Sequence, residues 1–328
     1  MDMTSRQTRQ RFVSLVAALL LLSLSVPAWS KSAQFEPAPI DEESYGESYT
    51  AVAQFEDGTY LLLQYFFTNA GFGDGKGACR ALVVPPAGKA TNAVAKASRD
   101  EWKYIAGENR LVVGQCSLSS RGSQTSFIAK TDTVTASLRI NAASRRIKPP
   151  GHRIKSDGKF YESELFIPWA TASATLSASG RVWKVNGHAY LDHTRSTAIV
   201  KNLADRWVRF RGFQGKRPVL IEIRYPPKGM PKAWSWTQGK VAPIKGADIK
   251  TTGARANLKV SLKNDTLSGQ LAARKVIYRY RPTKQYGLLG RLAKPWIGDP
   301  RIITSQGELT LADGSIVSGI LEEARFTD

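Results

Sequence analysis

Asn186-Gly187-His188-Ala189-Tyr190-Leu191-Asp192-His193-Thr194-Arg195-Ser196 is the stretch whose reading decides the fold. It holds two of the three histidines of a 328-residue chain. It also places an acid inside an alternating, strand-like run. Asn-Gly is a two-residue hairpin signal, because a type I′ turn needs φ > 0 at both central positions. The pair therefore predicts a turn, with residues 182–185 and 188–194 as the two arms. On the second arm Asp192 shares a face with His188, Tyr190 and Thr194, while His193 shares the other with Ala189, Leu191 and Arg195. Acid and imidazole then cannot enter one cavity together unless a bulge intervenes. A buried carboxyl costs free energy and needs a partner or a purpose. The plain reading is an acid paired with an arginine, and Arg209 or Arg211 in the strand-like run 206–213 are natural partners.

Outward from this element the pattern stays β. Short runs rich in Val, Ile, Tyr, Phe, Trp and Thr alternate with turn pairs such as Asp57-Gly58, Asp157-Gly158 and Asp313-Gly314. Strands are expected over 51–56, 59–68, 110–118, 131–140, 206–213, 218–225, 256–262, 274–281, 302–311 and 315–326. In the run 275–281, Val276, Tyr278 and Tyr280 share one face and Lys275, Ile277, Arg279 and Arg281 the other. This density of strands without long helices indicates antiparallel barrels or sandwiches. Residues 141–159, with Arg145, Arg146, Lys148, Arg153 and Lys155 around Pro149-Pro150-Gly151, read as an exposed loop. The Ala/Ser/Thr-rich stretch 168–179 reads as a domain boundary. Residues 284–296 are a short helical candidate, with Leu288, Leu289 and Leu292 on one side, expected to pack on their own barrel, with docking on a membrane face as the alternative.

The first thirty residues read as an export signal. Arg6, Arg9 and Arg11 precede an apolar run over 12–26, and Pro27-Ala28-Trp29-Ser30 places small residues before a cleavage point at Lys31. The expected organisation is a signal peptide over 1–30, one β-domain over 31–172 and a second over 173–328, in a periplasmic or secreted protein. Lys and Arg number 47 against 27 Asp and Glu, a formal net charge of +20. An exported basic protein meets anionic membrane surfaces more readily than nucleic acid, and no nucleic-acid module accompanies the charge. Cys79 and Cys116 are expected to pair in an oxidising compartment; two buried thiols are the alternative.

Phosphate-binding glycine loops, a Gly-x-Ser-x-Gly elbow and His-Glu-x-x-His or Cys/His metal patterns are missing from the sequence, so no cofactor and no metal is expected. What remains is Asp192. In an apolar pocket a carboxylic acid has its pKa raised and can deliver a proton. Protonating an alkene makes a carbocation, which the faces of Trp183, Tyr190, Trp207 or Phe213 would stabilise.

Gly187-His188-Ala189-Tyr190-Leu191-Asp192-His193, at the head of a second all-β half, resembles the tandem lipocalin-like proteins: carotenoid 1,2-hydratases (hydroxyneurosporene synthases), AttH-type secreted proteins and survival-factor proteins. The closing pattern, residues 300–303, then Gly307-Glu308-Leu309-Thr310-Leu311, Asp313-Gly314 and Gly319, is also similar. The resemblance implies an all-β chain of two consecutive lipocalin-like antiparallel barrels with few short helices. It implies a hydrophobic ligand, lipid or isoprenoid, held within or between them. Asp192 carries over as the acid of the hydratase branch. Trp183, His188, Tyr190, His193, Trp207 and Arg209 are the residues expected to bind the ligand. The hydratase element continues into Trp-Gly, where this chain has Thr194-Arg195-Ser196, a change that a binding role accommodates more easily. Three functions stay open: a carrier of a hydrophobic molecule, an acid-catalysed hydratase, cyclase or isomerase, and an envelope protein docked on anionic lipid.

Overall fold

A computed structural model describes residues 34–69, 75–214, 217–254, 257–263, 267–281 and 299–326. The proposed signal segment and the helical candidate over 284–296 lie outside the described residues. Among those residues helix occurs only as short 3-10 turns; the rest of the regular structure is strand.

The first sheet contains β1 (Gly46–Phe55), β2 (Tyr60–Thr68), β3 (Lys76–Val84), β4 (Thr91–Ala97), β5 (Trp102–Ile105), β6 (Arg110–Val113), β7 (Cys116–Arg121), β8 (Gln124–Lys130), β9 (Val134–Ile140), β10 (Arg153–Ser156), β11 (Lys159–Ala178) and β12 (Arg181–Ser196). Its order is β4-β3-β2-β1-β12-β11-β9-β8-β7-β6-β5, with β10 added beside β11. The second sheet contains β13 (Arg206–Gln214), β14 (Val219–Tyr225), β15 (Lys232–Thr237), β16 (Lys240–Ile244), β17 (Ile249–Thr252), β18 (Lys259–Leu262), β19 (Gly269–Tyr280), β20 (Arg301–Leu311) and β21 (Ile316–Arg325). Its order is β16-β15-β14-β13-β21-β20-β19-β18-β17. Each sheet curls into a nearly closed antiparallel barrel.

Asn186-Gly187 is not a turn. β12 runs through it unbroken, and the reversal into β12 falls at Ser179-Gly180, both with positive φ (50° and 74°). Gly187 is needed for a different reason: a Cβ there would lie 2.3 Å from the Gln54 carbonyl oxygen on β1. Glycine allows this close approach of two strands, and the flexibility that suits a turn is indistinguishable from it in sequence. The Ala/Ser/Thr-rich stretch is likewise strand rather than boundary. Residues 168–178 lie inside β11, and the chain passes from one sheet to the other between Ser196 and Arg206, not near residue 172. Pro168 has no N–H to give to a ladder. The register of β11 shifts just before it, between Leu165 and Ile167, and across it, between Ile167 and Ala170, which bends the strand around the barrel.

Both bores are filled by side chains. In the first barrel Phe35, Tyr49 and Phe166 meet ring to ring at 5.8–6.0 Å, with Tyr65, Phe67 and Phe127 buried below. Cys79 on β3 and Cys116 on β7 are joined by a disulfide across this bore. In the second barrel Phe210, Ile221, Val260, Leu271, Leu309 and Leu321 are buried together, with Phe210 against Gly212 and Gly307. A third apolar cluster belongs to neither bore. Val52, Tyr60, Leu82 and Tyr190 from the first sheet meet Phe213, Leu220, Trp234, Trp236 and Ile320 from the second. The barrels therefore pack outer face to outer face. Ile277 and Tyr278, adjacent in sequence, both lean on this junction, because β19 shifts register between Val276 and Tyr278 and breaks the simple alternation.

Candidate functional site at the junction of the barrels

Strand alternation delivers Tyr190 and Asp192 of β12 to the junction and sends Leu191 and His193 into the first bore. Asp192 is 2% exposed, and the Tyr190 hydroxyl donates to its Oδ2 at 2.7 Å. On β13 the same alternation presents Trp207, Arg209, Arg211 and Phe213 to the junction. Arg211 lies over the Tyr190 ring, 4.7 Å from its centroid.

Arg209 is committed elsewhere. Its Nε donates to Glu222 Oε2 at 3.0 Å, its Nη1 lies 3.9 Å from Glu322 and its Nη2 donates to the Tyr161 hydroxyl at 3.2 Å. Among the described residues no cation comes within 4.0 Å of Asp192. Burial raises the pKa of Asp192 above its ordinary value; the fields of Arg209 and Arg211 and the Tyr190 hydrogen bond pull it down without cancelling that rise. Tyr161 is pushed up to about 12, again mainly by burial. The arginine-paired reading of Asp192 is thus replaced by a carboxyl that holds its proton more firmly than an ordinary aspartate.

Unpartnered polar atoms collect around it. Among the described residues Arg211 Nη1 and Trp207 Nε1 are buried without a hydrogen-bond partner, although such groups are almost always paired in native interiors. Tyr60 of β2 faces the same region, with its hydroxyl in the fields of Glu322, Arg211 and Arg80.

The other expected ligand residues are dispersed. Trp207 packs on Tyr161 at 5.0 Å, beside the Asp192 group. His188 stacks on Trp169 at 4.8 Å, and burial lowers its pKa. Trp183 packs against the core of the first bore, on the face opposite Tyr190, with Arg181 beside its ring. Arg195 pairs with Glu162 at 3.4 Å.

His193 belongs to a separate group within the first barrel. Its Nε2 is 2.7 Å from Glu47 Oε1 and its Nδ1 is 3.9 Å from Glu164 Oε2, with the Tyr49 ring stacked on it at 4.5 Å. Burial alone would lower its pKa, but Glu164 and Glu47 more than offset this and raise it. Burial alone would raise Glu47, yet His193, Tyr45 and the Ala38 amide hold it below its ordinary value. This is an internal ion pair tying β1, β11 and β12 together, not part of the junction.

Sequence reading did not single out Tyr60, Arg80, Tyr161, Glu222, Arg224 or Glu322. The signal for Glu222 and Arg224 was local: they alternate with Ile221 and Ile223 in one apolar strand, which predicts an outer face that is charged yet needs a partner.

A protein designated AttH from Nitrosomonas europaea superposes with a TM-score of 0.58 at 14% identity, covering 92% of this chain and 98% of its own. The chain has the tandem lipocalin-like fold. CghA in complex with Sch210972 shares it, with a TM-score of 0.55 at 11% identity over 90% of this chain and 94% of that one. Kievitone hydratase from Nectria haematococca does so with a TM-score of 0.56 at 12% identity, over 91% and 97%. No protein-family model matches the sequence, and no curated protein matches it.

Proposed function

We propose that this tandem lipocalin-like protein binds an apolar small molecule between its barrels, with Asp192 as the acidic group of the site. One observation carries the reading: both bores are packed with side chains, whereas the junction gathers aromatic faces around a buried carboxyl and unpartnered donors. Sites of this composition, mostly apolar with a few convergent polar groups of perturbed pKa, are what small molecules select. CghA, a protein of the same fold, has a structure with Sch210972, which is consistent with a small-molecule role here.

A second reading, acid catalysis on an alkene, is favoured by the raised pKa of Asp192 and the lack of a cation within 4.0 Å among the described residues. In that reaction the Asp192 carboxyl forms a C–H bond to one alkene carbon and becomes a carboxylate. Water adds to the resulting cation and its proton returns to Asp192. The aromatic faces of Tyr190, Trp234 and Trp236 are the available stabilisers. One of the related structures is a hydratase by name.

Protein purified from its native host and examined by native mass spectrometry should carry a co-purifying apolar molecule. Asp192→Asn should retain that molecule under either reading and lose turnover only if the protein is an enzyme. An Asp192→Asn variant that converts the bound molecule at the wild-type rate would exclude Asp192 as the proton donor, and absence of any turnover by the wild type would exclude the catalytic reading. Export is part of the proposal: the apolar run after Arg11 and the Cys79–Cys116 disulfide suit an oxidising compartment.

A further inference from the structure

Among the described residues the charges at the junction do not balance. Arg80, Arg211 and Arg224 are buried at 6%, 3% and 7% exposure, and half-buried Arg209 lies among them. Against these cations stand Glu222, half-buried Glu322 and Asp192. Arg209 engages Glu222 and Glu322, Arg80 donates to the Asn92 side chain and stacks on Tyr280, and Arg224 lies 5.9 Å over the Trp207 ring. Even with every acid ionised one cation is in excess, and with Asp192 protonated the excess grows. Buried cations without counter-charge are costly. Arg211 lies in the field of Glu322, which favours its charge despite burial, and rests on the Tyr190 ring, yet its Nη1 has no hydrogen-bond acceptor among the described residues.

Resting on the ligand reading above, we infer that the small molecule carries one acidic oxygen group, a carboxylate or an ionised enol, which accepts from Arg211 Nη1 while its apolar body lies against Tyr190, Trp234 and Trp236. A guanidinium is suited to this task, since it stays charged and presents planar paired donors. Two consequences follow from the geometry. The ligand supplies the counter-charge that the junction lacks. Its negative charge beside Arg211 also discourages ionisation of Asp192, which already faces Tyr190, Tyr161, Arg209, Arg211 and Glu222. Binding of the acid therefore loads the proton that acid chemistry would use.

The test compares cis-parinaric acid with its methyl ester, followed by fluorescence titration of the whole protein at neutral pH. The acid should bind at least about tenfold more tightly than the ester, the effect of one buried charge-assisted contact. Arg211→Met should erase that preference while leaving ester affinity in place, and exposed Arg139→Gln should leave both affinities unchanged. Arg211→Lys, which keeps the cation, serves if the methionine variant does not fold, and should retain only part of the preference. Calorimetry from pH 5 to 9 in buffers of different ionisation heat should find a pH window of proton uptake with the acid that is lost in Asp192→Asn. Equal binding of acid and ester by the wild type overturns the inference and leaves the ligand reading standing. Failure of both probes to bind counts against the ligand reading itself and takes the inference with it.

Discussion

Replacing His193 by leucine tests the internal ion pair at a residue where burial makes the consequence large. Glu47 is 2% exposed and His193 9% exposed, so neither is rescued by solvent. Breaking a buried pair from one side costs about 3–5 kcal/mol, because the remaining charge is stranded. Glu47 keeps the Ala38 amide at 2.9 Å and the Tyr45 and Tyr49 hydroxyls, which places the loss near the lower end, about 3 kcal/mol. At roughly 2–4 °C per kcal/mol for chains of this order, the melting temperature should fall by about 6 °C or more. The pH profile adds a sign. His193 is raised above 6.5, so its contribution is full below pH 6.5 and is lost as pH rises through its folded value. Glu47 is lowered from 4.5, so its contribution is full above pH 4.5 and is lost as pH falls through its folded value. Both operate fully between those limits, and His193→Leu should remove the alkaline decline. Circular dichroism melts from pH 4 to 9, with Glu47→Gln and the double variant, close a cycle whose coupling should reach about 2 kcal/mol. A drop under about 1 °C with an unchanged alkaline limb would refute the reasoning.

Other consequences are as specific. The Cys79–Cys116 bridge closes a loop of 37 residues, so the Cys79→Ser/Cys116→Ser variant should lose about 4 kcal/mol in urea unfolding by the chain-entropy estimate. Gly187→Ala forces a Cβ against the Gln54 carbonyl of β1 and should cost about 2 kcal/mol, whereas alanine at a turn tip would cost far less. Asp192→Asn keeps an acceptor for Tyr190 and removes a group whose folded pKa is raised. Its contribution is full below pH 3.8 and is lost as pH rises through the raised folded value, so the melting temperature of the variant should gain on that of wild type as pH increases from 4.

Much of the fold was legible because strand alternation and turn glycines are local. β1, β2, β13, β14, β20 and β21 fall where Val, Ile, Tyr and Thr alternate, and Asp57-Gly58 and Asp313-Gly314 sit at their turns. The opposed placement of Asp192 and His193 followed from the two-residue period alone. Three things were not legible. A glycine needed for close strand approach looks like a turn glycine, so Asn186-Gly187 was assigned to the wrong role. A strand of 20 residues bent at Pro168 looks like a linker when its residues are alanine, serine and threonine. The pairing of the barrels by their outer faces is a long-range fact. It brought Tyr60 and Arg80 from the first sheet to a site whose visible elements were all later in the chain, while Arg209 is held within its own sheet by its cross-strand neighbours Glu222 and Glu322 rather than by Asp192.

The most direct test of the junction site is a crystal structure of the protein with cis-parinaric acid bound. The polyene should lie between the two barrels, within reach of Tyr190 and Asp192, with both bores still filled by their own side chains. A ligand seated inside either bore, or on an outer surface away from β12 and β13, would contradict the account.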